Sequence, residues 1–214
     1  MAGRRPRADR LWARRRHRGG CAVSAAGLLL AAGAGRRYGM PKALAPVPGG
    51  GELLVQRALR TLCEGGCDPV VVVLGAGAQD VPPLPDARVV VNEDWATGLG
   101  SSLRAGLDAL PEEVAAVVVL LVDTPGITPQ AVRRIAAGAR PSTLRVATYG
   151  GEGGHPVLLG REHWDGAARL AVGDVGARPY LVSQLVEEVP CDDIADGTDL
   201  DLPETDSAPR APDA

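Results

Sequence analysis

Three segments of this chain gather the residue types that handle phosphate and divalent cations. The first is Leu30-Ala31-Ala32-Gly33-Ala34-Gly35-Arg36-Arg37-Tyr38-Gly39-Met40-Pro41-Lys42. Its small residues let successive backbone N–H groups approach an anion closely, and Arg36, Arg37 and Lys42 add positive charge. The second runs from Asn92 through Trp95 and Gly98 to Ser101, Ser102 and Leu103, a loop entering a serine-rich helix start with Ser101 or a neighbour as its expected cap. Such a start can donate to a ribose, a base carbonyl or a phosphate. The third is Leu121-Val122-Asp123-Thr124-Pro125, where a carboxylate at a strand's end is placed to hold a magnesium ion bridging NTP phosphates. Each also has an ordinary reading: an exposed loop lysine, a plain N-cap and a turn aspartate.

Apolar periodicity supplies the elements that must position these segments. Ala26–Leu30 and Val70–Leu74 read as buried strands, Arg88–Val91 as a third, short strand and Val114–Val122 as the strongest. Leu53, Leu54, Arg57, Ala58, Leu59 and Leu62 recur at helical spacing and stop at Gly65-Gly66, and Ser101–Leu110 is also helical. Thr128 caps a helix that has Pro129 at its first position. Leu144–Thr148 and Pro156–Leu159 predict two strands around a Gly-rich turn. Asp174–Leu185 holds a helix interrupted or started at Pro179, and Val186–Val189 is extended. The alternation predicts an α/β fold, a three-layer, mostly parallel sheet with helices on both faces, in which ligands sit at the carboxyl ends of the strands. All three chemical segments follow strands.

Charge and composition narrow the function classes. The net charge of −3 gives no general case for nucleic-acid binding, and the apolar runs are far too short to span a bilayer. Of 23 Lys and Arg residues only Lys42 is a lysine, which makes its place in the glycine-rich segment notable. Residues 1–22 form a basic tail, read as a translated stretch upstream of the true start, a solvated tail or a basic arm able to dock a partner by charge. Residues 23–205 form the expected domain and 206–214 an acidic tail. Cys63 and Cys67 are separated by three intervening residues with no second Cys or His pair nearby, so they predict free thiols in a reducing cytoplasm and no zinc site.

The first segment matches neither common nucleotide fingerprint: Gly39 lies four residues after Gly35, and no Gly-Lys-Ser/Thr follows. It resembles the signature of the molybdopterin cytidylyltransferase and MobA-like NTP transferase family, Leu-Ala-Ala-Gly-x-Gly-x-Arg-Met-Gly-x-Pro-Lys, with Tyr38 in place of Met. The family's Asn-x-x-Trp-x-x-Gly-x-x-x-Ser-Leu element is met by Asn92, Trp95, Gly98, Ser102 and Leu103. Asp123 fits its Asp-x-Pro element, with Thr124 unusual. Asp199-Leu200-Asp201-Leu202-Pro203-Glu204-Thr205 aligns with its late Asp-Ile-Asp-Thr-Pro-Glu-Asp motif, and Gly154-His155-Pro156-Val157 and Gly173-Asp174-Val175-Gly176-Ala177-Arg178 match two further elements.

The resemblance implies roles as well as a fold of the Rossmann-like nucleotide-diphospho-sugar transferase type. Leu30, Ala31, Ala32, Gly33, Gly35 and Arg36 would line the nucleotide's phosphates, with Lys42 and Arg37 catalytic. Asn92, Gly98, Ser101 and Ser102 would serve the nucleoside. Asp123 would be the primary Mg2+ ligand and Asp201 the second, with Asp199 in reserve or a plain acidic tail as the alternative. His155, Asp174 and Arg178 would face the acceptor. The implied reaction moves CMP from CTP onto molybdopterin and releases pyrophosphate, in the cytoplasm, and a molybdoenzyme docked transiently by the basic tail would be its partner. Two rivals stand beside it: an NAD(P)H-dependent enzyme of the nicotine blue oxidoreductase type, and a non-catalytic cofactor-binding module.

Overall fold

The structure is a computed structural model, described here for residues 25–200. A seven-stranded sheet runs through it. The strands are β1 (Ala26–Ala31), β2 (Val70–Leu74), β3 (Arg88–Val91), β4 (Ala116–Leu121), β5 (Leu144–Tyr149), β6 (Glu152–Gly160) and β7 (Glu187–Pro190), in the spatial order β3-β2-β1-β4-β6-β5-β7. β3, β2, β1 and β4 are mutually parallel, β6 is antiparallel to β4 and β5, and β7 is parallel to β5. The mostly parallel three-layer α/β fold expected from the sequence is the fold observed.

The apolar strands divide their side chains between two helical layers. Leu29, Val72, Val118 and Leu158 pack with α1 (Leu54–Glu64) and α3 (Pro129–Ala136) on one face. Leu28, Leu30, Val71, Val73, Val117 and Leu159 pack with α2 (Leu99–Asp108) and α4 (Trp164–Leu170) on the other. Strands covered on both sides must be apolar on both sides, which is why β2 reads as five consecutive apolar residues. After β1 the chain moves outward to β2 and β3, and β4 then returns to the opposite side of β1. The carboxyl ends of β1 and β4 therefore diverge into a crevice, the place where this class of sheet takes ligands.

The structure adjusts several sequence expectations. The strand expected over 114–122 spans Ala116–Leu121. Leu99 begins α2, and Gly98, with φ +112°, is its N-cap, so Ser101 lies inside the first turn. The helix expected within 174–185 is reduced to α5 (Arg178–Val182), because Gly176 turns the chain at φ +51° after a short 3-10 turn at Gly173–Val175. The Thr128 cap is as expected, its hydroxyl accepting from the Ala131 N–H with Pro129 following. α4 had no counterpart in the sequence reading. Among the described residues no helix is long and apolar enough to cross a membrane.

Candidate active site

The glycine-rich segment leaves β1 and folds back on itself. Gly39 N–H donates to Gly35 O at 2.8 Å, and Gly35 sits at φ +58°. A Cβ there would fall 1.9 Å from Met40 O, so the turn is closed to any other residue. The segment ends in a 3-10 turn, Lys42–Leu44, anchored where Leu44 N–H donates to Pro41 O at 2.9 Å. This fold-back returns Lys42 to the carboxyl ends of β1 and β4. Its Nζ donates to Asp123 Oδ2 at 2.8 Å, across 81 residues of sequence.

Asp123 is fixed by the sheet. Val122 N–H continues the β1–β4 ladder onto Leu30 O at 3.2 Å, and Asp123 O accepts from Leu200 N–H at 2.7 Å. Its second carboxylate oxygen, Oδ1, is buried and has no hydrogen-bond partner among the described residues. A carboxylate oxygen in that condition fits an oxygen-seeking divalent cation. The Leu200 contact also carries the C-terminal segment to the same spot, so Asp199 and Asp201, the residues on either side of Leu200, are its neighbours in sequence. Asp201 lies outside the described residues.

A cleft of about 420 Å³ opens above this pair. Leu30, Ala32, Gly33, Gly35, Arg36, Arg37, Lys42, Gly98, Ser102 and Asp123 line it, so ten of the sequence-derived site residues meet there. Ala31 does not: it ends β1 with its side chain in the core on the α1 side. Asn92 and Ser101 stand behind the wall. Asn92 Nδ2 donates to Ser101 Oγ at 2.8 Å and to Ser102 Oγ at 3.0 Å. The wall also holds Tyr38, Trp95, Leu99, Leu121 and Val122, none of them chosen from sequence. Tyr38 and Trp95 sit inside two of the motifs, so their aromatic type was the available signal.

The acceptor-side residues are more dispersed. β6 runs antiparallel to β4, which brings its early residues to the carboxyl end of that strand and half-buries His155 within electrostatic range of Asp123. Burial pulls the imidazole down to about 4 from its ordinary 6.5, and the Asp123 charge opposes that shift without cancelling it. Asp174 packs over Gly98: a Cβ on Gly98 would lie 2.3 Å from the Gly173 carbonyl carbon and 2.8 Å from Asp174 Oδ1. Arg178 begins α5 and is exposed, outside the cleft lining.

A dinucleotide loop after β2 is the other arrangement this sheet allows, and the local packing opposes it. Gly75 lies against Trp95, where a Cβ would be 2.6 Å from the Trp95 Cβ, and Ala76 N–H donates to Ala32 O at 3.0 Å. The Gly75-Ala76-Gly77 turn thus supports the glycine-rich segment from behind.

Comparison with known proteins agrees with this geometry. A family model described as the MobA-like NTP transferase domain matches residues 27–189. The chain is 40% identical over 191 residues to a nicotine blue oxidoreductase from Paenarthrobacter nicotinovorans, covering 83% of this chain and 92% of that one. It is 39% identical over 110 residues to a probable molybdenum cofactor guanylyltransferase from Mycobacterium ulcerans, covering 50% of this chain and 52% of that one. The match therefore spans about half the length of that guanylyltransferase. Among solved structures, an Rv0371c homologue from Mycobacterium sp. strain JC1 superposes with a TM-score of 0.70 at 33% identity, covering 78% of this chain and 86% of that one. A manganese complex of Rv0371c from Mycobacterium tuberculosis superposes at 0.65 with 27% identity, over 78% and 88% of the two chains.

Proposed function

The chain belongs to the MobA-like NTP transferase family, a family of nucleotidyltransferases, and on that premise we propose that it transfers CMP from CTP to molybdopterin. The observation that carries the reading is the convergence of Lys42, the glycine-rich loop and Asp123 on one cleft. An acceptor phosphate oxygen attacks the α-phosphorus of the NTP in line, and the bond to the bridging oxygen breaks to release pyrophosphate. No covalent protein intermediate is needed, so catalysis is positioning and charge neutralisation.

Each residue's part follows from its place. The amides of the segment from Ala32 to Arg37 cradle the β- and γ-phosphates. Arg37 and Arg36 supply charge at the cleft wall, and Lys42 leaves Asp123 for the α-phosphate, where its ammonium neutralises charge as it builds. Asp123, whose Oδ1 has no partner among the described residues, would hold Mg2+ together with Asp201 or Asp199. When bound, the ion neutralises phosphate oxygens and orients the pyrophosphate leaving group. His155, neutral near pH 7, and Asp174 and Arg178 flank the acceptor's entry.

The test is pyrophosphate release with each of the four NTPs and magnesium, with and without molybdopterin. Release that requires CTP and molybdopterin together supports the full reading. Release with GTP alone corrects the base and keeps the reaction.

The second reading rests on the relative named nicotine blue oxidoreductase at 40% identity. It requires NAD(P)H oxidation with no NTP consumed. The commitment of the Gly75-Ala76 turn to Trp95 and Ala32 counts against a pyrophosphate of a dinucleotide at that loop.

A further inference from the structure

We propose that Asn92 is a positioning residue that fixes the Ser102 hydroxyl as a hydrogen-bond donor into the cleft, so that the nucleoside is read through an acceptor oxygen or ring nitrogen. The inference rests on the nucleotidyltransferase reading above and assigns Asn92 a task other than contact with the ligand.

The proton inventory leads there. Asn92 is only 7% exposed, and its amide orientation is set because Oδ1 accepts from Asp94 N–H at 3.0 Å. Both hydrogens of Nδ2 therefore point at the serines, one to Ser101 Oγ and one to Ser102 Oγ. Ser101 uses its single proton internally, toward Gly98 O at 2.8 Å or Asp94 O at 3.0 Å. Ser102 accepts from Asn92 in the same way, yet its own proton has no acceptor among the described residues. The side chain is 3% exposed and lines the cleft. A buried hydroxyl whose lone pair is occupied from behind presents its hydrogen forward. The atom it meets is a lone-pair donor on the nucleoside, either a base carbonyl or ring nitrogen, or a ribose oxygen. Replacing Asn92 by Asp reverses this polarity with almost no change in shape, because a carboxylate accepts the Ser102 proton and turns a lone pair toward the ligand.

The experiment is a double-mutant cycle on NTP binding by calorimetry, using Asn92→Asp, Ser102→Ala and their combination, with each NTP and magnesium. Asn92→Asp alone weakens the preferred NTP by about fivefold to tenfold, the worth of one hydrogen bond lost and made unfavourable. In the Ser102→Ala background the same substitution has almost no effect. Inorganic tripolyphosphate, which uses only the phosphate loop, binds all four proteins equally, and melting temperatures check that each is folded. The 2′- and 3′-deoxy forms of the NTP identify the partner: loss of the Ser102 dependence with either assigns a ribose oxygen, and its retention with both assigns the base. Additive effects of the two substitutions, or an Asn92→Asp protein with unaltered NTP affinity, overturn the assignment. A folded wild-type protein that binds no NTP overturns the nucleotidyltransferase reading and this inference with it.

Discussion

Lys42 Nζ and Asp123 Oδ2 stand 2.8 Å apart, while the other Asp123 oxygen is buried without a partner among the described residues. The ammonium thus occupies one half of the carboxylate and leaves the other half prepared for a cation. Both side chains keep some solvent contact, at 14% and 21% exposure, so the pair can separate without stranding a charge in the core. On the reading proposed above, loading of NTP and metal would replace one ion pair by two better-matched interactions, Lys42 on phosphate and Asp123 on the metal.

Two substitutions should divide these tasks. Lys42→Ala is expected to lower kcat for pyrophosphate release by about 10²-fold or more, with the metal requirement little changed, because charge neutralisation in the transition state is lost. Asp123→Asn is expected to raise the metal concentration needed for half-maximal rate as well as lowering kcat. Metal titrations of both variants decide it. An unchanged kcat in Lys42→Ala removes Lys42 from catalysis.

The Leu200 amide clamp on Asp123 O bears on the second carboxylate. In an extended chain the residues on either side of Leu200 share a face, so both carboxylates are candidates for the second ligand and substitution separates them. One of Asp199→Asn and Asp201→Asn is expected to raise the metal requirement by about tenfold, as loss of one charged ligand does, and the other to leave it unchanged. Equal, unaltered metal titrations for both would return the segment to an acidic tail.

Much of this was legible in the chain itself, and the exceptions have physical causes. β2 and β3 were found to the residue because consecutive β-branched residues favour extended backbone, buried between layers in β2 and largely exposed at the sheet edge in β3. The start of α2 was misplaced because Ser101-Ser102 has the composition of a cap. The cap is Gly98, whose positive φ admits no side chain easily, and the hydroxyls serve Asn92 instead. That partnership spans nine and ten residues and passes through a turn, so no local pattern encodes it. α4 was overlooked because, beyond Trp164, its buried positions are Gly166 and Ala167, too small to print an apolar period. Lys42 and Asp123 were each chosen singly, and their contact needed the sheet order.

Gly98 offers a steric test of how the acceptor-side loop is held. It combines φ +112° with backbone of Gly173 so close that a Cβ would overlap it at 2.3 Å. Gly98→Ala is therefore expected to destabilise the protein by about 2 kcal/mol or more, from backbone strain and overpacking together. Displacement of Gly173 and Asp174 should also raise KM for the acceptor more than for the NTP. Thermal melting and paired KM values check this, and a variant with unchanged melting would mean that the 173–174 loop moves aside freely.

His155 makes stability depend on pH in a predictable direction. Its folded value of about 4 lies below the ordinary 6.5, chiefly through burial, so between these limits the unfolded chain binds the proton more readily than the folded one. Stability from this group is complete above about pH 6.5 and is lost progressively as pH falls toward 4. His155→Gln, which cannot titrate, removes that contribution to the slope. Melting temperatures of the two proteins, measured from pH 7 down to 5 in metal-free buffer, should converge or cross as the wild type loses more. The comparison isolates His155 because all other titrating groups are shared. Parallel curves would show that the imidazole reaches solvent when it protonates, and would place His155 at the rim of the cleft, not beneath it.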